Sequence, residues 1–149
     1  MPVTFTTANQ TDLLSDAAEL TRSTGFMPDA HALGVKVDGD FAALAVFQNI
    51  STAGAEFHYA MNGTAGARRD ALYGIHRYAF DVLKVEKLTA PIAAWNVAAQ
   101  IMALKSGFFI AGTIRQGSID GSDAIVMVLF KDAYRWMPHT QPQPAKTAA

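Results

Sequence analysis

The sequence predicts an α/β fold built on a mixed, mostly antiparallel sheet of about seven strands. Three observations carry that expectation. Alternating or apolar runs at residues 3–7, 33–37, 41–49, 56–61, 87–93, 108–114 and 124–130 have the length and composition of strands. Asp38-Gly39, between the second and third runs, is a hairpin signal, because a primed turn needs positive φ at both central positions. Residues 56–108 read strand, glycine turn, helix, strand, helix. That crossover makes its two strands parallel and the connection right-handed.

In chain order, the opening strand leads to Asn9, a residue type that caps helices, after which Leu13, Ala17 and Leu20 share one helical face. Gly25 and Pro28 end this helix in a loop over 23–30. The hairpin follows, and 51–54 turns the chain back into the strand that begins at Glu56. Within that strand, alternation places Glu56, His58 and Ala60 on one face and Phe57, Tyr59 and Met61 on the other. A helix over about 68–83 repeats Leu72, Ile75, Ala79 and Leu83 at helical spacing, with His76 and Arg77 beside that stripe. In the helix before Gly107, Val97, Ile101 and Leu104 form the expected buried stripe, and Gly107 is the expected left-handed stop. Val126 and Val128 complete the expected core. Residues 1–137 are expected to form one domain. Residues 138–149, rich in Gln and Pro with nothing to bury, are expected to be a disordered tail.

With 149 residues, 50% hydrophobic and 17% charged, the chain has the composition of a globular domain with a real core. A formal net charge of −1 offers no electrostatic footprint for nucleic acid or an anionic membrane. Cysteine is absent, which excludes disulfides, thiolate catalysis and cysteine-ligated metals together. The first residues lack a basic segment followed by an apolar run, and no apolar run approaches the roughly 20 residues that span a bilayer. A cytoplasmic location is expected. The glycine fingerprint of dinucleotide folds and the Gly-Lys-Ser/Thr of P-loops are missing. His31, His58, His76 and His139 lack metal-ligand spacing, so no metal site is expected.

The turn Asn62-Gly63-Thr64-Ala65-Gly66-Ala67 opens the second helix, where free backbone N–H groups at the positive end of a helix dipole suit an anion. Downstream, Asn96, Ala99, Lys105, Gly107 and Phe108, followed by Gly112 and Arg115, stand at the spacings of a known pattern. That segment, with Tyr78-Ala79-Phe80 and the strand over 85–92, resembles the Gcn5-related N-acetyltransferases (GNAT) from about residue 57 to residue 130. The resemblance implies a GNAT-like sheet with helices on both faces and one central parallel pair. It also implies an acyl-CoA N-acyltransferase: acetyl-CoA as cosubstrate and an amine acceptor, small molecule or protein, with room for a homodimer and no role for nucleic acid or membrane.

The same resemblance distributes roles. Met61, Ala65, Gly66, Ala67, Arg68, Arg69 and Asn96 become the candidate cofactor-binding residues. At the turn only Gly66 matches the family's phosphate loop; Gly63 replaces its usual Gln or Arg, and Arg68 stands where a small residue is usual. Arg68 could obstruct a phosphate or bind it directly. Amine acetylation needs a base, for which Glu56 and His58 are the candidates by strand position. The tyrosine that protonates the leaving thiolate in the family corresponds to Ala103 here, which leaves Tyr59 as a substitute. The acceptor pocket would be built from 23–29 and 115–123, where Asp120 and Asp123 could attract a cationic amine. A competing reading is a GNAT-fold binding or structural protein that has lost catalysis, a kind that some bacteriophages encode.

Overall fold

The computed structural model describes residues 2–118 and 120–133. Its elements run β1 (Val3–Thr6), α1 (Gln10–Thr21), β2 (His31–Val37), β3 (Asp40–Gln48), β4 (Ala55–Met61), α2 (Arg69–Arg77), β5 (Lys87–Ala93), α3 (Val97–Ser106), β6 (Phe109–Ile114) and β7 (Ala124–Phe130). A single 3₁₀ turn, Ala65–Ala67, precedes α2, and a π-helical turn, Tyr78–Val82, extends it. The expected tail at 138–149 lies outside the described residues.

The strands form one seven-stranded sheet in the order β1-β2-β3-β4-β5-β7-β6. All neighbours are antiparallel except β4 and β5, which are parallel as the crossover requires. Asp38 and Gly39 close the β2–β3 hairpin with φ of 54° and 83°, the backbone that the Asp-Gly pair predicts.

Alternation along β3 shows how the layers are organised. Ala43, Ala45 and Phe47 point into the larger core, with Ile75 and Ala79 of the second helix. Leu44 and Val46 point the other way and pack with Ala17 of α1. Helices therefore cover both faces, with α1 on one and α2 on the other. Ala103 of α3 joins the core of α2 and so lies on the same face.

Two local expectations are corrected. Asn9 adopts a left-handed conformation, φ 61°, and makes no side-chain cap; its amide instead donates to Asp12 Oδ2 at 2.7 Å. The expected stripe of α3 is out of phase. Val97, Ile101 and Leu104 are 57%, 46% and 44% exposed, while Ala103 and Ser106 are buried. The helix is apolar around most of its circumference, so periodicity alone gave no phase. Small residues face the sheet, where the backbone must approach closely, and the Ser106 hydroxyl is satisfied by Met102 O at 3.1 Å. Leu72, Ile75, Ala79 and Val128 are buried as expected, whereas Val126 is only partly so. On the outer edge, Phe109, Ile110 and Ile114 of β6 are exposed.

The core also holds a histidine. His76 is 1% exposed, its ring 6.0 Å from that of Phe57 and 5.9 Å from that of Phe108. Burial pushes its pKa down to about 4. The folded state thus favours the neutral ring.

Two outcomes are expected. Ile75→Ala, in the centre of the core, should cost about 2–5 kcal/mol, whereas Leu104→Ala should cost less than about 1 kcal/mol; chemical denaturation of the two variants checks this phase. The stability contributed by neutral His76 should be intact above its ordinary pKa of 6.5 and lost as pH falls through about 4. That loss amounts to about 3 kcal/mol. His76→Phe should flatten the acid limb of stability against pH by about this amount.

Candidate functional site

The site begins where β4 and β5 stop pairing. Their register contains two pairs, Ala55↔Leu88 and Glu56↔Thr89, after which the strands part. Each keeps its outer partner: β4 pairs with β3 up to Met61, and β5 pairs with β7 up to Ala93. The inner edges beyond Glu56 and Thr89 therefore carry backbone N–H and C=O groups with no strand opposite them. Pro91 lies just past the last pair, and a proline has no N–H to offer a neighbouring strand. A cavity of about 870 Å³ fills the gap, within the size range of small-molecule sites.

At the mouth of this cavity, the turn before α2 is held by packing. A Cβ on Gly66 would stand 2.9 Å from both the Ala43 methyl and the Tyr59 hydroxyl, so only glycine fits there. The Tyr59 hydroxyl donates to Gly66 O at 2.6 Å, and burial raises its pKa well above the ordinary tyrosine value. The Ala67 and Arg68 amides are used within the turn, donating to Thr64 O and Ala65 O at 3.0 and 3.2 Å. Arg68 grips Asp70 with two hydrogen bonds of 3.1 and 2.7 Å. Arg69, the first residue of α2, lines the cavity, as do Met61 and Ala67. On the opposite wall, Asn96 Oδ1 accepts from Ala99 N at 3.2 Å and caps α3 as its position predicts.

The α1 side of the cavity carries a polar cluster. His58 Nε2 lies 3.1 Å from Glu56 Oε2, with the His58 side chain 9% exposed and that of Glu56 34%. Gln48, the cross-strand neighbour of Glu56, donates its amide to the same carboxylate oxygen. The other end of Gln48 accepts from Met27 N at 2.8 Å, which ties the loop after α1 to the cluster. The Phe26 ring stands 5.8 Å from the His58 ring. His58 lines the cavity together with Leu20 and Thr21 from the end of α1.

A second polar contact closes the rim. Trp95 Nε1 donates to Asp120 Oδ2 at 2.8 Å, joining the β5–α3 connection to the β6–β7 loop. The Ser122 hydroxyl, the Ser122 N–H and the Trp95 indole together hold the Asp120 carboxyl well below the usual carboxylate range.

The structure thus brings Glu56, His58, Tyr59, Met61, Ala67, Arg69 and Asn96 to or beside one cavity, and directs Arg68 to Asp70 instead. Sequence reasoning missed Gln48, the Tyr59–Gly66 bond and the Trp95–Asp120 bond. Gln48 was within reach, since extending the hairpin register places it opposite Glu56. The other two join residues distant in sequence or through a turn of irregular geometry, and no local pattern announces them. Among the described residues no cluster of His, Asp or Glu could hold a metal ion, and no helix is long and apolar enough to cross a membrane.

No protein-family model matches the sequence, and no curated protein matches it. Solved structures do match the fold. A mutant form of the spermidine/spermine N-acetyltransferase SpeG from Vibrio cholerae superposes with a TM-score of 0.73 at 15% identity, covering 89% of this chain and 97% of that one. The Campylobacter jejuni N-acetyltransferase PseH, solved with acetyl coenzyme A, gives 0.60 at 21% identity over 70% of each chain. A probable acetyltransferase gives 0.67 at 16% identity over 89% of this chain and 94% of that one. The shared seven-stranded sheet, with its one parallel pair opened beside a helix N-terminus, is the GNAT N-acetyltransferase fold.

Proposed function

We propose that this chain is an acetyl-CoA-dependent N-acetyltransferase. The observation that carries the reading is the pair of bare inner edges on β4 and β5, facing each other across a cavity that begins at the N-terminus of α2. Unpaired backbone groups need partners. An amide-bearing pantetheine arm can pair with them as an added strand would. Bound acetyl-CoA supplies the activated acetyl group as a thioester.

The chain's own residues then divide the work. The N-terminus of α2, where the Ala71 amide is already held by Asp70 Oδ1 at 3.0 Å, and above all the Arg69 guanidinium favour the pyrophosphate. Asn96, held by its cap, faces the arm from α3. Gly66 and Tyr59 keep the turn in shape, a positioning role. Arg68 is drawn away by Asp70, so it neither blocks the turn nor leads in binding phosphate. Glu56 and Gln48 orient His58: with Nε2–H donated to the carboxylate, Nδ1 carries the lone pair that accepts a proton from the acceptor ammonium. In the reaction the amine nitrogen bonds to the acetyl carbon, the C–S bond breaks, and the thiolate takes up a proton. Tyr59, whose hydroxyl is committed to Gly66 and hard to ionise, is poorly placed to supply that proton, so solvent is its source.

Acetyl-CoA at 100 times its Kd should stabilise the protein by about 2.7 kcal/mol, read as a rise in melting temperature. Arg69→Ala should weaken that binding about tenfold, and Arg68→Ala should change it less than Arg69→Ala does. Absence of any stabilisation at millimolar acetyl-CoA would end the enzyme reading in favour of a non-catalytic binding protein. His58→Gln should lower kcat by about 10²–10⁴ while acetyl-CoA affinity stays unchanged; a variant with normal turnover would remove His58 as the base.

A further inference from the structure

At the rim of the cavity, Trp95 offers an aromatic surface that is 66% exposed, the highest value for a large apolar side chain among the described residues. It is not loosely placed. Its N–H is bonded to Asp120, and the adjacent Ala94 N donates to Asp123 O at 2.8 Å. Asp120 is fixed in turn: its Oδ1 accepts the Ser122 N–H at 3.0 Å and the Ser122 hydroxyl at 2.5 Å. The result is a bare indole beside a carboxylate, both lining the cavity and both fixed before any ligand arrives.

The chemistry of this pair is distinct from that of the other walls. Arg69 is the part of the lining that suits phosphates, whereas the Asp120 carboxylate repels them. Nor does Asp120 suit the reacting nitrogen, which must be uncharged to attack and has its own base in His58. A fixed negative charge next to a π face is instead matched to a positive charge that stays positive throughout.

We infer that Trp95 and Asp120 bind a second, non-reacting cationic centre of the acceptor, which assigns the acceptor to amines that carry two positive charges, such as linear diamines. The inference rests on the acetyltransferase reading. Trp95 supplies the π face, and Asp120 supplies the counter-charge while anchoring the indole. Neither residue takes part in proton transfer.

The test compares 1,4-diaminobutane with butylamine, which shares the reacting end but lacks the second charge. With acetyl-CoA saturating, wild-type protein should acetylate the diamine with a KM at least about tenfold below that of butylamine. Asp120→Asn removes the charge, its one amide oxygen accepting the indole N–H at the expense of the Ser122 N–H bond; it should erase most of that preference, with kcat and acetyl-CoA affinity unchanged. Trp95→Leu should do the same. An equal loss for both amines would reduce the pair to a structural latch and overturn the inference, as would no loss for either, or acetylation of neither amine by protein that binds acetyl-CoA. A second readout is independent of catalysis. The Trp95 indole N–H resonance, assigned by its disappearance in Trp95→Leu, should shift on addition of 1,4-diaminobutane and not of butylamine. If that shift occurs in protein that does not bind acetyl-CoA, the cation site stands and the acetyltransferase reading alone fails; if neither amine moves the resonance, the site is refuted.

Discussion

The cavity and the polar groups around it depend on a hydrogen-bonded ladder that stops early. β4 and β5 share two registered pairs and then separate, although beyond that point each stays paired on its outer side. Closing the sheet would satisfy more backbone groups, so something must oppose closure. Pro91 is one cause. It sits two residues after the last pair, and proline in a central strand is normally excluded because it removes a donor from the ladder. Here the register with β7 nevertheless runs unbroken through Pro91↔Val126. The strand is central by its place in the sheet and an edge strand by its chemistry.

The opening would be of little use without walls of different character, and the fold supplies them through alternation. One face of β4 sends Phe57 and Tyr59 towards α2, where they pack into the larger core and fix the turn at Gly66. The other face sends Glu56 and His58 towards α1, where Gln48 and the loop at Met27 hold them. A one-residue slip in the β3–β4 register would exchange these sets, placing the acid–histidine pair in the apolar core. Phe47↔Phe57, stacked at 5.3 Å, and the neighbouring Gln48↔Glu56 contact oppose that slip together. The core and the polar cluster thus enforce the same register.

Much of this fold was legible because its signals are local. Asp38-Gly39 specified the hairpin, Asn96 and Gly107 bracketed α3, and the crossover length dictated the parallel pair. The phase of α3 was not legible. Its apolar residues are spread around the helix, and what selects the buried side is the distance to the sheet, which favours Ala103 and Ser106 over Ile101 and Leu104. Asn9 misled for a related reason: its residue type suits a cap, but a left-handed backbone directs its side chain to Asp12. Of the candidate site, strand alternation could assign faces, so Glu56 and His58 were found as a pair. The contacts that fix them, or that close the rim, cross 8 residues in Gln48–Glu56 and 25 in Trp95–Asp120, and only the folded chain brings them together.

The turn before α2 shows how one glycine can satisfy two demands. A glycine there invites a reading based on phosphate approach. In the structure Gly66 is first a packing residue, since Ala43 and Tyr59 leave no room for a Cβ. Its carbonyl accepts the Tyr59 hydroxyl, which anchors the turn to β4, and the Ala67 and Arg68 amides close the 3₁₀ geometry. Those two amides are spent inside the turn and Asp70 Oδ1 takes the Ala71 amide at 3.0 Å, so what attracts an anion at the start of α2 is the helix dipole and the charge of Arg69. Arg68 could compete for the same anion, but Asp70 engages it two residues away. The loop therefore differs in its side chains from the phosphate loop of the family it resembles, while Ala67 and Arg69 line the cavity.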